Sequence, residues 1–180
     1  DVPVLPPQTL QKFVADPGVA ETGHLLHHAG IQPGHKAVVD APADRLPGVG
    51  DPQSEDVVTG GQLEIAMPKM QKVIEEGVVF DSVFCLNDLA AVGVAAALDE
   101  HEMLKQVRVY GIDASPDAKA LIKEGMMSAS AAQFPSRLGQ IAADVIYRLL
   151  DGETVERKIQ VPVELVTREN VEQYSIDRWQ

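Results

Sequence analysis

A single cysteine, Cys85, is the whole thiol inventory of this 180-residue chain, so no disulfide can form within it. It lies inside an apolar run and reads as a small buried hydrophobe rather than a reactive thiol. Basic charge is also scarce. Fifteen Lys plus Arg face 27 Asp plus Glu, a formal net charge of -12 with the acids spread along the chain, which excludes a broad basic face for nucleic acid. No apolar run approaches the roughly 20 residues that span a bilayer, so no membrane insertion is expected. The N-terminal residues carry neither a basic region nor an apolar signal core, and the chain starts at Asp1 without a methionine, as a processed or truncated product would.

Chemistry-bearing motifs are missing as well. There is no Gly-x-Gly-x-x-Gly or Walker-type phosphate loop, and Val58-Thr59-Gly60-Gly61 is too short to serve as one. No Ser or Cys stands beside a His in a nucleophile-elbow pattern. His24, His27 and His28 fall at i, i+3 and i+4 of a predicted helix over 19–29, but nothing nearby clearly completes a metal shell. They read as a partly solvated face, and neither metal nor cofactor is expected. A receiver-type phosphoacceptor at Asp113 would require a cluster of acids and a downstream lysine, whereas Lys119 and Lys123 fall in the following helix.

What is present is an alternation of strands and helices. The length suits one domain or a large lobe of something bigger. Lys36 to Asp40 predicts a short strand, and the Pro- and Gly-rich stretch Ala41 to Pro52 predicts a loop, long for an α/β unit. Ser54 or Asp56 is read as a cap for a helix expected from about Met67 to Glu76, with Pro68 in its first turn. Asp81 to Leu86 is a strand that runs into Asn87-Asp88 and an alanine-rich helix, Leu89 to Leu98, with Asp88 at the N-cap place. Val107 to Ile112 is a second strand ending at Asp113, and Ser115-Pro116-Asp117 is a helix-start signature. Met126 to Ala132 is a third, ending at Gln133; an amphipathic helix over 137–150 follows, then an extended segment, Lys158 to Thr167, in which Pro162 argues for an edge or a crossover. The fold class is α/β, a mostly parallel sheet flanked by helices.

Three successive strands therefore deliver Asn87, Asp113 and Gln133 to one edge. In an open parallel sheet ligands bind beyond the carboxyl ends of the strands. An amide both donates and accepts, and a carboxylate accepts from two neighbouring hydroxyls, which is what a polyhydroxylated ligand demands. The alternative is structural, with Asn87 merely ending its strand and Asp113 capping the next helix.

The run Val83-Phe84-Cys85-Leu86-Asn87-Asp88-Leu89-Ala90-Ala91-Val92-Gly93 resembles the strand-to-helix passage of type I periplasmic sugar-binding proteins, the ribose-binding-like receptors of ABC importers. The likeness continues through Val109-Tyr110-Gly111-Ile112-Asp113, Ser115-Pro116-Asp117, Ala131-Ala132-Gln133-Phe134-Pro135, Leu149-Leu150-Asp151-Gly152-Glu153 and the run Val161 to Thr167. It implies a flavodoxin-like second lobe of a hinged, two-lobed receptor. On that pattern 1–180 is a partial type I periplasmic-binding domain, with the second-lobe core over 24–132 and the crossover helix, closing strand and tail over 133–180.

The resemblance also implies a monosaccharide ligand held by Asn87, Asp113 and Gln133, with Arg45 as a further contact. A permease partner, no catalysis, and a periplasmic or extracellular location, with or without a lipid anchor, follow from the same pattern. Trp179, Phe134 and Tyr110 are the aromatics left to stack on a sugar ring, and each reads as packing. The alternative is the effector-binding core of a lac-repressor-type regulator, which shares the fold but requires a basic helix-turn-helix ahead of it.

Overall fold

Near-continuous apolar runs make strands that are buried on both faces, the habit of parallel sheets. The computed structural model describes residues 36–40 and 54–179. It contains strands β1 (Lys36–Asp40), β2 (Ser54–Val57), β3 (Phe80–Phe84), β4 (Arg108–Ile112), β5 (Ala129–Ala132) and β6 (Glu164–Thr167). They form one sheet in the order β2-β1-β3-β4-β5-β6, in which β1 to β5 run parallel and β6 closes antiparallel on β5. The centres of β3, β4 and β5 are buried, and Val83, Val109 and Ala129 lie at the heart of the core.

The connections are helices α1 (Leu63–Glu75), α2 (Asp88–Glu100), α3 (Pro116–Glu124) and α4 (Pro135–Leu150). Helix α1 buries Ala66, Met70 and Val73, one face at helical spacing. Helix α2 is made of small residues and buries most of its length between α1 and the sheet. A Cβ placed on Gly93 would sit 2.7 Å from the Leu63 carbonyl oxygen and 3.2 Å from the Ala66 Cβ. Only glycine lets the two helices approach that closely.

Local caps fix where the helices begin. Ser115 accepts from the Ala118 N–H at 3.2 Å, Pro116 opens α3, and Gly125 ends it in the left-handed conformation at φ 84°. At the far end of the chain a short 3-10 turn, Val171–Gln173, leads into the tail. The fully buried Lys119 ammonium donates to the backbone carbonyls of Ser175 and Arg178, which holds that tail against α3.

Several expectations require correction. Helix α1 starts at Leu63 rather than Met67, and Pro68 stands inside it, on an exposed position where the lost backbone bond is tolerated. Ser54 and Asp56 do not cap a helix; they belong to β2, which pairs with β1 in the register Val38↔Glu55. The strand expected from Met126 begins at Ala129, and the segment from Lys158 becomes strand only at Glu164. Asp88 is the first helical residue of α2, while Asn87 is its N-cap. The histidines at 24, 27 and 28, the helix over 19–29 and the loop 41–52 lie outside the described residues.

Helix α4 differs from the others in burying none of its residues. The chain leaves the sheet after Ala132 and re-enters at Glu164, its direct partner in the ladder, so 133–163 is an excursion whose two ends lie side by side. We predict that Gly93→Ala lowers unfolding free energy by about 1–3 kcal/mol through overpacking. Chemical denaturation checks this, and an unchanged midpoint would contradict the close α1–α2 contact.

Candidate ligand-binding edge

Because β1 to β5 are parallel, the loops that follow β2, β3, β4 and β5 all open on the same edge. Strand order reverses between β1 and β3, the switch point where open α/β sheets leave a crevice. Thr59 to Gly61 follow β2 there and meet Asn87, which follows β3.

Asn87 is half-buried and already employed. Its Oδ1 accepts from the Ala90 N–H at 3.0 Å, capping α2, and its Nδ2 donates to the Gly61 carbonyl at 3.0 Å. Gly61 has φ 71°, and a Cβ there would come 2.7 Å from the Asn87 Nδ2. The amide thereby ties two loops of the edge together. One N–H and one lone pair of it remain for a ligand.

Asp113 has no such duty, since Ser115 caps α3 in its place. Its carboxylate accepts from the Gln133 Nε2 at 2.6 Å, so the residues ending β4 and β5 meet across the edge. Burial raises the Asp113 carboxyl above its ordinary value, and the Gln133 hydrogen bond opposes that rise. The backbone around them is unusual. Asp113, Ala114 and Phe134 have φ of 114°, 51° and 53°, conformations that cost non-glycine residues about 1–3 kcal/mol and concentrate at ligand-holding sites.

Asp88 lies beneath this edge with 1% of its surface exposed. Its Oδ2 accepts from the Ser115 N–H at 2.6 Å and its Oδ1 from the Ser130 hydroxyl at 2.6 Å. Desolvation pushes its carboxyl up to about 6, against the lowering effect of those hydrogen bonds. Sequence reasoning placed Asp88 only as a helix cap. The signal available for more was Gly111, whose missing side chain is where the Asp88 carboxylate sits.

Of the residues expected to bind, Asp113 and Gln133 are brought into contact, Asn87 joins the same edge through Gly61, and Arg45 lies outside the described residues. Tyr110 is buried and stacked on Phe84, ring centroids 4.9 Å apart, so it packs in the core. Trp179 is 54% exposed, in the tail. Among the described residues no group of three or more His, Cys, Asp or Glu is placed to hold a metal, and no helix is long and apolar enough to cross a membrane.

A parallel sheet with a polar row at its carboxyl edge, closed by an antiparallel strand after a long excursion, defines a type I periplasmic-binding lobe. The chain belongs to the periplasmic binding protein domain family, whose profile matches residues 32–154. It is 36% identical over 106 residues to a candidate rhizopine-binding protein of Rhizobium meliloti, covering 58% of this chain and 34% of that protein. A ribose import binding protein of Salmonella typhimurium is 32% identical over 100 residues, covering 56% of this chain and 33% of its own. Among solved structures, an ABC transporter solute-binding protein of Bacillus halodurans with bound myo-inositol superposes with a TM-score of 0.65 at 27% identity, over 86% of this chain and 57% of that one. The matches thus span about one third of the length of these curated relatives.

Asp88 provides a pH test. A carboxyl whose folded pKa, about 6, lies above its ordinary 3.8 holds its proton more tightly when folded. Its contribution to stability is therefore full below the lower value and lost as pH rises through the higher one. Relative to Asp88→Asn, which does not titrate, the wild-type chain should gain about 1 kcal/mol on going from about pH 7.5 to about pH 5. Paired denaturation curves check this, and a gap independent of pH would contradict it.

Proposed function

We propose that this edge binds a monosaccharide or closely related polyol, as one jaw of the solute receptor of an ABC sugar importer. The observation that carries the reading is the Asp113–Gln133 contact: a carboxylate and an amide at adjacent strand ends, with the carboxylate free of any capping task. Together they offer acceptors for neighbouring hydroxyls and a donor for a ring or hydroxyl oxygen. A site of this kind discriminates against analogues lacking a hydroxyl, because its own polar groups would be left unpaired. Asn87 supplies its remaining N–H and lone pair, and Arg45 is the fourth contact on the strength of the family pattern.

The ligands named for the relatives agree with this chemistry, ribose for the Salmonella protein and myo-inositol for the Bacillus structure. In this reading the chain carries out no catalysis, works outside the cytoplasmic membrane and hands its sugar to a permease. Residues up to 132 form the core of the second lobe, and 133–180 supply the crossover helix, closing strand and tail. The bare apolar positions of α4, among them Leu138, Ile146 and Leu149, would pack against the other lobe, with Gln133 standing at the crossing between them.

Titration calorimetry of the full-length protein against D-ribose, D-allose and myo-inositol tests the reading. One of them should bind with favourable enthalpy. Asp113→Ala and Gln133→Ala should each weaken that ligand about ten- to a hundredfold, as expected for losing hydrogen bonds to a charged or desolvated group. Absence of heat with every sugar would overturn it.

A further inference from the structure

Three consecutive backbone N–H groups at the end of β4 are each held from a different place. The Asp113 N–H donates to the Ala131 carbonyl at 2.8 Å, which continues the sheet ladder. The Ala114 N–H donates to the Ser130 hydroxyl at 2.9 Å, and the Ser115 N–H donates to the Asp88 carboxylate at 2.6 Å. Ser130 in turn donates its proton to the other Asp88 oxygen at 2.6 Å. Two of the three N–H groups therefore depend on one side chain, directly or through a hydroxyl.

Those N–H groups frame the left-handed pair Asp113-Ala114, a shape that lasts only where its surroundings over-determine it. Asp88 is not needed to start α2, since Asn87 performs that task. Gly111 leaves room for its carboxylate beside β4, where any side chain would collide with it. Asp88, Ser115 and Ser130 are all buried, so each hydrogen bond is shielded from competing water.

We infer that Asp88 is the positioning residue of the ligand-binding edge, its carboxylate bracing the Ala114–Ser115 backbone so that Asp113 is turned toward Gln133. This rests on the reading of Asp113 as a ligand contact, but the bracing can be measured without any ligand. A carboxylate suits the place because it accepts from Ser115 and Ser130 at once. An amide can keep both links if the Ser130 hydroxyl turns to accept from it, whereas alanine keeps neither.

The test compares Asp88→Ala, Asp88→Asn and Ser130→Ala in the full-length protein. Amide hydrogen exchange at Ala114 and Ser115 is followed beside calorimetric affinity for the best of D-ribose, D-allose and myo-inositol. Asp88→Ala should speed exchange at both amides by about tenfold or more, and Ser130→Ala at Ala114 alone. Both should weaken sugar binding by about tenfold while the protein stays folded. Asp88→Asn should restore exchange and affinity to within about threefold of wild type. If Asp88→Ala does not fold, Ser130→Ala and Asp88→Asn decide the matter. Unchanged exchange would overturn the inference, and so would faster exchange with undiminished affinity. Should the wild type bind none of the three sugars, the functional reading fails, and amide exchange alone still decides whether Asp88 braces the turn.

Discussion

Parallel pairing is the constraint on which everything else depends. Once β1 to β5 run the same way, each crossover must return the chain to the starting edge before the next strand begins. The opposite edge then collects every loop that leaves a strand, and residues far apart in sequence become neighbours. Asn87 meets Gly61, and Asp113 meets Gln133, without any of them being close in the chain. The sheet interior supplies the rigidity, because its central strands are buried on both faces.

On that scaffold the polar groups divide into those that build the edge and those that face outward. Asn87 mainly builds, since it caps α2 and fastens the loop after β2. Asp88 builds entirely, being buried and fully engaged. Asp113 and Gln133 are half-buried and bonded to each other. A ligand hydroxyl can insert into or extend that pair, because each oxygen of a carboxylate accepts more than one hydrogen bond. The raised pKa of Asp113 shows that its charged form is already partly desolvated before any ligand arrives, so hydroxyls that donate to it replace solvation rather than merely displacing water.

The sheet, the three strand ends and the helix start at Ser115 were legible because each is written in local terms: an apolar run, then a polar residue, then a capping signature. The edge strand β2 was not. Its sequence, Ser-Glu-Asp-Val, has a single apolar residue, and it is a strand only because β1 offers a ladder to join. Pro68 argued for a later start of α1, yet packing of Ala66, Met70 and Val73 outweighed the lost bond. Asp88 was misplaced by one position because Asn and Asp are both good caps and adjacent. Its partners Ser115 and Ser130 lie 27 and 42 residues away, beyond the reach of any local pattern.

Family membership says that a lobe of this kind belongs to binding proteins, and the geometry says which edge of it is equipped to bind. The most direct measurement of that claim is a backbone-amide NMR titration with D-ribose, D-allose and myo-inositol. The account predicts saturable shifts centred on Asn87, Asp113 and Gln133, with the exposed face of α3 and the tail beyond Tyr174 unmoved. Saturable shifts centred anywhere else on the sheet or its helices would contradict it.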